Sequence, residues 1–283
     1  MTNGIRGVRL RVGRSNDIPH EAANNGSSRR DKRHINLFKP NNETAPSSYV
    51  FIFLLLYTLM FYTHNYLENH HLPTPLLHKD IENHPNEFIA ERAMDRLVKL
   101  TDIGPRVAGS YENEVLAVKV LKDEIDEIIK EAKSIHSIEV DIQKYSGSFP
   151  LEFLDGLTNV YRNVQDVIVK FGPRKNSGHS LLMNCHFDSV VDSPGGSDDG
   201  AGCAIMLEIL KVLSMSDLQL KNNIIFLFNG AEENLMHGSH GFITQHPWAK
   251  EIRAFINLEA CGAGGREVLF QSGPNSPWIM EVS

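Results

Sequence analysis

The chain has 283 residues, enough for one large domain or two ordinary ones, and its 41% hydrophobic and 22% charged content is that of a folded protein. Residues 1–48 hold nine Lys/Arg against four Asp/Glu (net +5), and the remainder holds 19 against 31 (net −12), summing to −7. So acidic a body argues against nucleic acid as a partner, because phosphate binding needs clustered Lys and Arg.

Residues 1–48 combine Gly, Asn, Ser and Arg with almost no apolar periodicity and are expected to form a disordered basic tail. Then comes an apolar run beginning at Tyr49, and from Thr44 to Leu67 there is no Asp, Glu, Lys or Arg. Its strongly apolar part is short against the roughly 20 residues of a membrane span. Tyr49, Tyr57, Tyr62 and Tyr66 extend it with interfacial anchors. Residues 49–67 therefore read as an uncleaved transmembrane signal anchor, since no small-residue cleavage site follows. Arg29, Arg30, Lys32, Arg33 and Lys39 precede the segment and only Lys79 follows closely. That asymmetry predicts a cytosolic N-terminus and a body on the luminal or outer side. The sequons at Asn25 and Asn42 then lie on the cytosolic side.

Residues 68–84, with Pro73 and Pro75, read as a linker, and 85–283 as the main domain. Glu87 to Leu100 has helical periodicity, with Phe88, Ala93, Met94 and Leu97 as inward positions, and Tyr111 to Lys133 predicts a second helix. Ser137–Tyr145 and Asn159–Phe171 alternate like half-buried strands. Ser180–Cys185 and Asn223–Asn229 are short apolar strands on either side of an almost wholly apolar helix, Gly200–Met215. Ala254–Leu258 and Glu267–Phe270 add two more strands. Strands alternating with helices predict an α/β fold: a mixed, largely parallel central sheet flanked by helices.

Ligands in such sheets bind beyond the carboxyl ends of the strands. The strand ending at Cys185 gives His186-Phe187-Asp188, and residues two apart in an extended segment point the same way, so Asp188 can hold one imidazole nitrogen while the other binds a metal. Ser193 to Gly200 is a Gly-rich turn with two aspartates, Asp198 and Asp199, entering the apolar helix. One suffices as a helix cap, which leaves a carboxylate over. After the next strand, Glu232-Glu233 are adjacent carboxylates, costly if buried without partners. Glu259 is a fourth carboxylate at a strand end. Each has a plain reading as a turn, a cap or a solvated loop, but all four in this order point to a metal site. The three cysteines, Cys185, Cys203 and Cys261, are too few for a disulfide scaffold. Cys185 and Cys203 are the likelier pair if one bridge forms, and three buried free thiols are an equal alternative.

His186-x-Asp188, Asp198-Asp199-Gly200, Glu232-Glu233 and Glu259, with the earlier Gly104-Pro105-Arg106-Val107-Ala108-Gly109-Ser110, resemble the co-catalytic zinc exopeptidases related to aminopeptidase Y and glutamate carboxypeptidase. The resemblance covers about residues 85–283 and implies the zinc exopeptidase fold, two Zn2+ per complete domain, a peptide or protein substrate and an endoplasmic reticulum membrane location with the peptidase domain luminal. By position it implies Asp198 as the carboxylate bridging both metals, His186 and Glu259 as ligands of one, and Glu233 as ligand of the other. Glu232 would be the catalytic general base, with Asp188 orienting His186. Many family members carry Asp where this chain has Glu259. The family's last ligand is a His downstream of the fourth motif, whereas no His follows His246. The expectation is therefore a peptidase domain incomplete at the C-terminus. The alternatives are a non-catalytic scaffold of the same fold and a glutaminyl cyclase-like enzyme.

Overall fold

The computed structural model describes residues 47–70, 72–152, 156–175, 178–260 and 268–273. The basic tail up to residue 46, Cys261 and Glu267 lie outside the described residues.

Helix α1 spans Ser47–His70, and every side chain on it is exposed. Its 24 residues at about 1.5 Å each make a rod of about 36 Å, longer than a bilayer's hydrocarbon core of about 30 Å. The helix continues past the expected limit at residue 67, because nothing breaks it until Pro73 biases the preceding residue away from helical backbone.

In the body, helix α2 is Ala90–Thr101 and α3 is Val118–Glu131, entered through a π-helical turn at Glu112–Ala117. Strands β1 (His136–Leu151) and β2 (Leu157–Pro173) form a long antiparallel pair with a bulge between Tyr145 and Gly147. Strand β3 (Ser180–His186), helix α4 (Ala201–Met215), strand β4 (Asn223–Asn229), helix α5 (His237–Gln245) and strand β5 (Ile252–Asn257) follow. The sheet order is β1-β2-β4-β3-β5, with β2–β4 antiparallel and β3–β4 and β3–β5 parallel. This is a mixed sheet flanked by helices.

Both faces of the central strands are covered, which is why they read as unbroken apolar runs. Val167, Val169, Phe171, Phe226 and Phe228 face a core shared with α3 and α4 through Leu121, Ile125, Ile128, Met206 and Leu210. The alternate residues Ile168, Ile225 and Leu227 pack on the other side with Tyr145, Tyr161 and Phe242 of α5.

Two expectations need correction. On α2 the inward face is Ala93, Arg96 and Leu100, preceded by Ile89, whereas Phe88 and Met94 are exposed. The helix is turned so that Arg96 reaches the fully buried Glu208 on α4 (Nη1–Oε2 2.5 Å) and Glu124 on α3 (3.0 Å). An ion network thus sets the rotation that apolar spacing alone assigned differently. The strand expected at Glu267–Phe270 is absent over Val268–Phe270, where Val268 and Phe270 are exposed. A strand needs a ladder partner, and among the described residues none pairs with this segment.

Glu208 also accepts from Arg92 and from the Ile89 amide at 3.0 Å. Glu208→Ala leaves that amide buried without a partner and Arg96 with Glu124 alone, and is expected to destabilise the fold by about 3–5 kcal/mol. Denaturant unfolding measures it. A loss no greater than that of an exposed ion pair, ~0–1 kcal/mol, would show that the network does not hold α2 to α4.

Candidate metal centre

The parallel register brings three strand ends level. His186 pairs with Asn229, Asn184 pairs with Asn257, and the Leu258 amide donates to Asn184 O at 2.9 Å. His186 therefore ends β3 beside the turn that carries Glu232 and Glu233 after β4, and beside Glu259 just past β5.

Around the buried His186 imidazole the carboxylates close in. Asp198 Oδ1 is 3.0 Å from Nε2, Glu259 Oε1 is 3.6 Å away and Glu232 Oε2 is 4.0 Å away. On the opposite edge of the ring, Asp188 Oδ1 is 3.4 Å from Nδ1. One ligand atom each from His186, Asp198 and Glu259 lie within 4.8 Å of one another. Glu233 stands outside that group of three, and of the charges acting on its carboxylate that of Asp198 is the largest.

The two aspartates of the Gly-rich turn divide their work. Asp199 is buried and accepts from the His186 amide at 3.1 Å and from the Gly202 amide at 3.2 Å, capping α4 and tying it to the end of β3. Asp198, joined to it by a cis peptide bond, keeps a half-exposed carboxylate facing His186.

Asp188 is fully buried and does more than face the imidazole. Its carboxylate accepts from the Glu232 amide at 3.0 Å and from the Glu233 amide at 3.1 Å. The same turn is held by Asp166 Oδ1, accepting from the Gly230 amide at 3.2 Å, and by Asn113, donating to Gly230 O at 3.1 Å. Asn229 Oδ1 accepts from the Ala231 amide at 3.0 Å. Asp166 and Asn113 went unnoticed in the sequence. The only signal was a lone acidic residue at the start of an apolar run in β2 and a lone amide on an otherwise ordinary helix face.

Cys185 and Cys203 are free and buried, with Sγ atoms 2.8 Å apart, and Cys203 donates to His186 O at 3.2 Å. His237 and His240 lie on α5, where they meet Asn159 at 2.7 Å and Tyr161 at 2.6 Å. His246, just past α5, faces Asp141 at 3.3 Å.

The charges of the centre are strongly coupled. Burial alone would lower the pKa of His186, but the hydrogen bond it donates to Asp188 and the charges of Asp188, Asp199 and Glu259 outweigh it and push it up to about 10. Burial raises Glu232, with Glu259 and Asp188 adding to the rise against the pull of His186. Burial likewise raises Glu233, and Asp198 adds to it. Among the described residues no Lys or Arg lies within 4.0 Å of Asp188, Asp198, Glu232, Glu233 or Glu259. One imidazole facing several carboxylates without a basic side chain suits a divalent cation such as zinc.

With this geometry in view, the relatives are informative. Residues 166–283 match Peptidase family M28. The chain is 54% identical over 199 residues to endoplasmic reticulum metallopeptidase 1 of Homo sapiens, covering 70% of this chain and 22% of that protein. It is 37% identical over 286 residues to putative endoplasmic reticulum metallopeptidase 1-B of Caenorhabditis elegans, covering 99% of this chain and 31% of that protein. The chain thus spans about a fifth to a third of the length of these relatives. The crystal structure of the LapA aminopeptidase of Legionella pneumophila has the same fold, with a TM-score of 0.51 at 16% identity over 67% of this chain and 48% of that one.

Asp166 gives this centre a measurable pH signature. Burial raises its carboxyl from the ordinary 3.8 to about 7, against the Gly230 hydrogen bond and with Asp188 adding to the rise, and among the described residues its Oδ2 has no partner. The folded state therefore keeps a proton that the unfolded chain has released, and stability falls as pH rises through the window from about 4 to about 7. Asp166→Asn keeps an oxygen for Gly230 and has no proton to lose. Its thermal midpoint should fall less across that window than the parent's, by an amount on the order of a few kcal/mol in stability. Equal falls in the two proteins would contradict the buried protonated carboxyl.

Proposed function

We propose that this chain carries the membrane anchor and active-site residues of a zinc metallopeptidase that removes terminal residues from peptides in the lumen of the endoplasmic reticulum. The observation that carries this reading is the meeting of His186, Asp198 and Glu259 within 4.8 Å, with Glu232 within 4.0 Å of the same imidazole. The names of the relatives support the compartment and the peptidase activity. Helix α1 is long and apolar enough to cross a bilayer, and the basic residues before it favour a cytosolic N-terminus.

In this reading Asp198 would be shared between two zinc ions, His186 and Glu259 would help hold one, and Glu233 would help hold the other. Bound zinc supplies a Lewis acid for the peptide carbonyl and lowers the pKa of water at the site. The protein does the rest. Asp188 holds the Nδ1 edge of His186, so that Nε2 faces Asp198 and Glu259. Through the Glu232 and Glu233 amides Asp188 also fixes the direction in which both glutamates leave the backbone. Glu232, partly buried and raised in pKa, is suited to take a proton from the attacking water and to return it to the leaving amine.

Glu232→Gln should retain the parental zinc content and lose turnover of aminoacyl reporter substrates by ~10²–10⁴-fold, because the ligands survive and the base does not. Normal turnover in that variant would remove Glu232 from the mechanism. Asp198→Ala should lose zinc from both positions, and metal analysis at the parental stoichiometry would exclude the bridging role.

A further inference from the structure

The segment Gly104 to Ser110 is not used by any step above, yet it contributes the largest fully buried side chain of the body, Arg106. Its guanidinium meets only backbone carbonyls. Nε donates to Phe187 O at 2.7 Å, Nη1 to Pro194 O at 2.5 Å and Nη2 to Gly195 O at 3.2 Å. Nη1 also reaches Leu100 O at 3.3 Å and Gly104 O at 3.1 Å, within the segment's own neighbourhood. The backbone joins in, since the Arg106 amide donates to Ser189 Oγ at 2.8 Å and the Ser189 amide donates to Arg106 O at 3.2 Å.

These acceptors are not scattered. Phe187 lies between His186 and Asp188, and Pro194 and Gly195 stand at the far end of the same loop, just before Asp198. One planar cation therefore grips both ends of the loop that separates the imidazole from the Asp198 carboxylate. Gly195 shows how close the grip is. Its φ is +56°, and a Cβ there would lie 2.9 Å from Arg106 Nη2, 2.7 Å from Ser189 Cβ and 2.8 Å from Asp198 O. Its carbonyl is shared between Arg106 and the Gly200 amide at the start of α4. Among the described residues no carboxylate lies within ion-pairing distance of the guanidinium, so the clamp keeps a buried charge without a direct counter-charge.

We propose that Arg106 is a positioning residue of the metal centre: by clamping Phe187 O, Pro194 O and Gly195 O it sets the 3.0 Å approach of Asp198 to His186 and so the affinity of the site for zinc. It acts through the loop and touches neither metal nor substrate, since it has no exposed surface. The inference rests on the metal-centre reading above. Lysine cannot replace it, because one ammonium nitrogen cannot span carbonyls that the guanidinium fork reaches from three separate nitrogens.

The test uses the full chain in detergent with Arg106→Lys, Arg106→Ala and Ser189→Ala. Zinc affinity is read by competition with a chelator, and backbone order by amide hydrogen exchange of residues 187–199. Arg106→Lys should lose ~10–100-fold in zinc affinity and exchange faster at 187–199, with its thermal midpoint near the parent's. Ser189→Ala, a milder cut in the same clamp, should shift both readouts in the same direction by less. Added guanidinium ion, but not sodium at equal ionic strength, should restore zinc binding to Arg106→Ala, which a merely space-filling role would not produce. Parental zinc affinity and parental exchange in Arg106→Lys would overturn the proposal. If that variant does not fold, unchanged readouts in Ser189→Ala together with no guanidinium rescue would overturn it. A parent chain that binds no zinc would sink the metal-centre reading alone, and the exchange at 187–199 would still decide for or against the clamp.

Discussion

The arrangement depends on the parallel register of β3, β4 and β5. Because Cys185 faces Phe228 and Asn184 faces Asn257, the three strands stop at the same edge of the sheet. Whatever follows each strand emerges there, so side chains far apart in sequence become neighbours without any contact between their own segments being needed first. The register is fixed by burial on both faces: a slip of one residue would exchange Phe226 and Phe228 with Ile225 and Leu227 and misfit both cores. Packing energy remote from the centre thereby holds its geometry.

Level strand ends are not enough, because the loops beyond them carry no ladder. Buried polar groups take over. Asp188 joins the β3 loop to the β4 turn through two amides, Asp199 joins the end of β3 to the start of α4, and Arg106 closes the loop between them. Each of these groups would be costly without partners, and each has them in backbone amides or carbonyls. The carboxylates left over, Asp198, Glu232, Glu233 and Glu259, face the one imidazole and one another, with backbone contacts only for Glu259, which accepts from the Ala260 amide at 3.1 Å, and for Glu233, beside the Val190 backbone, among the described residues. The contrast separates the groups that build the centre from those that face what it binds.

That separation explains what could be read from the chain. The strand-end carboxylates stood out in the sequence as a set, because each alone reads as a turn, a cap or a solvated loop but all of them recur in order at strand and helix ends. The surplus in Asp198-Asp199 was visible because a helix needs one cap, and the structure gives the capping work to Asp199. The central strands were equally legible, since two-sided burial leaves an unbroken apolar run. Asn113 and Asp166 were not legible, because their Gly230 partners are main-chain atoms 117 and 64 residues away and main-chain atoms leave no mark on composition; Arg106 stood out only within the Gly104–Ser110 motif, and its grip on Phe187, 81 residues on, did not. The rotation of α2 was misread for a related reason: Arg96 points inward only because Glu208 and Glu124 wait there. Periodicity registers apolar faces and is blind to a buried ion network.

The adjacent glutamates show how far the backbone can decide chemistry. Glu232 and Glu233 share sequence context and strand end, and both are raised in pKa by burial. Their difference comes from the turn. With both amides fixed on Asp188, successive side chains must leave in different directions, so one approaches His186 Nε2 while the other answers chiefly to Asp198. A single buried carboxylate thus sends two chemically identical neighbours in different directions, toward the separate roles of base and ligand proposed for them. Swapping their order in the sequence would change nothing, whereas loosening their two amides would change everything. Loss of Asp188 should accordingly damage metal binding and proton transfer together, a pairing that loss of either glutamate alone does not produce.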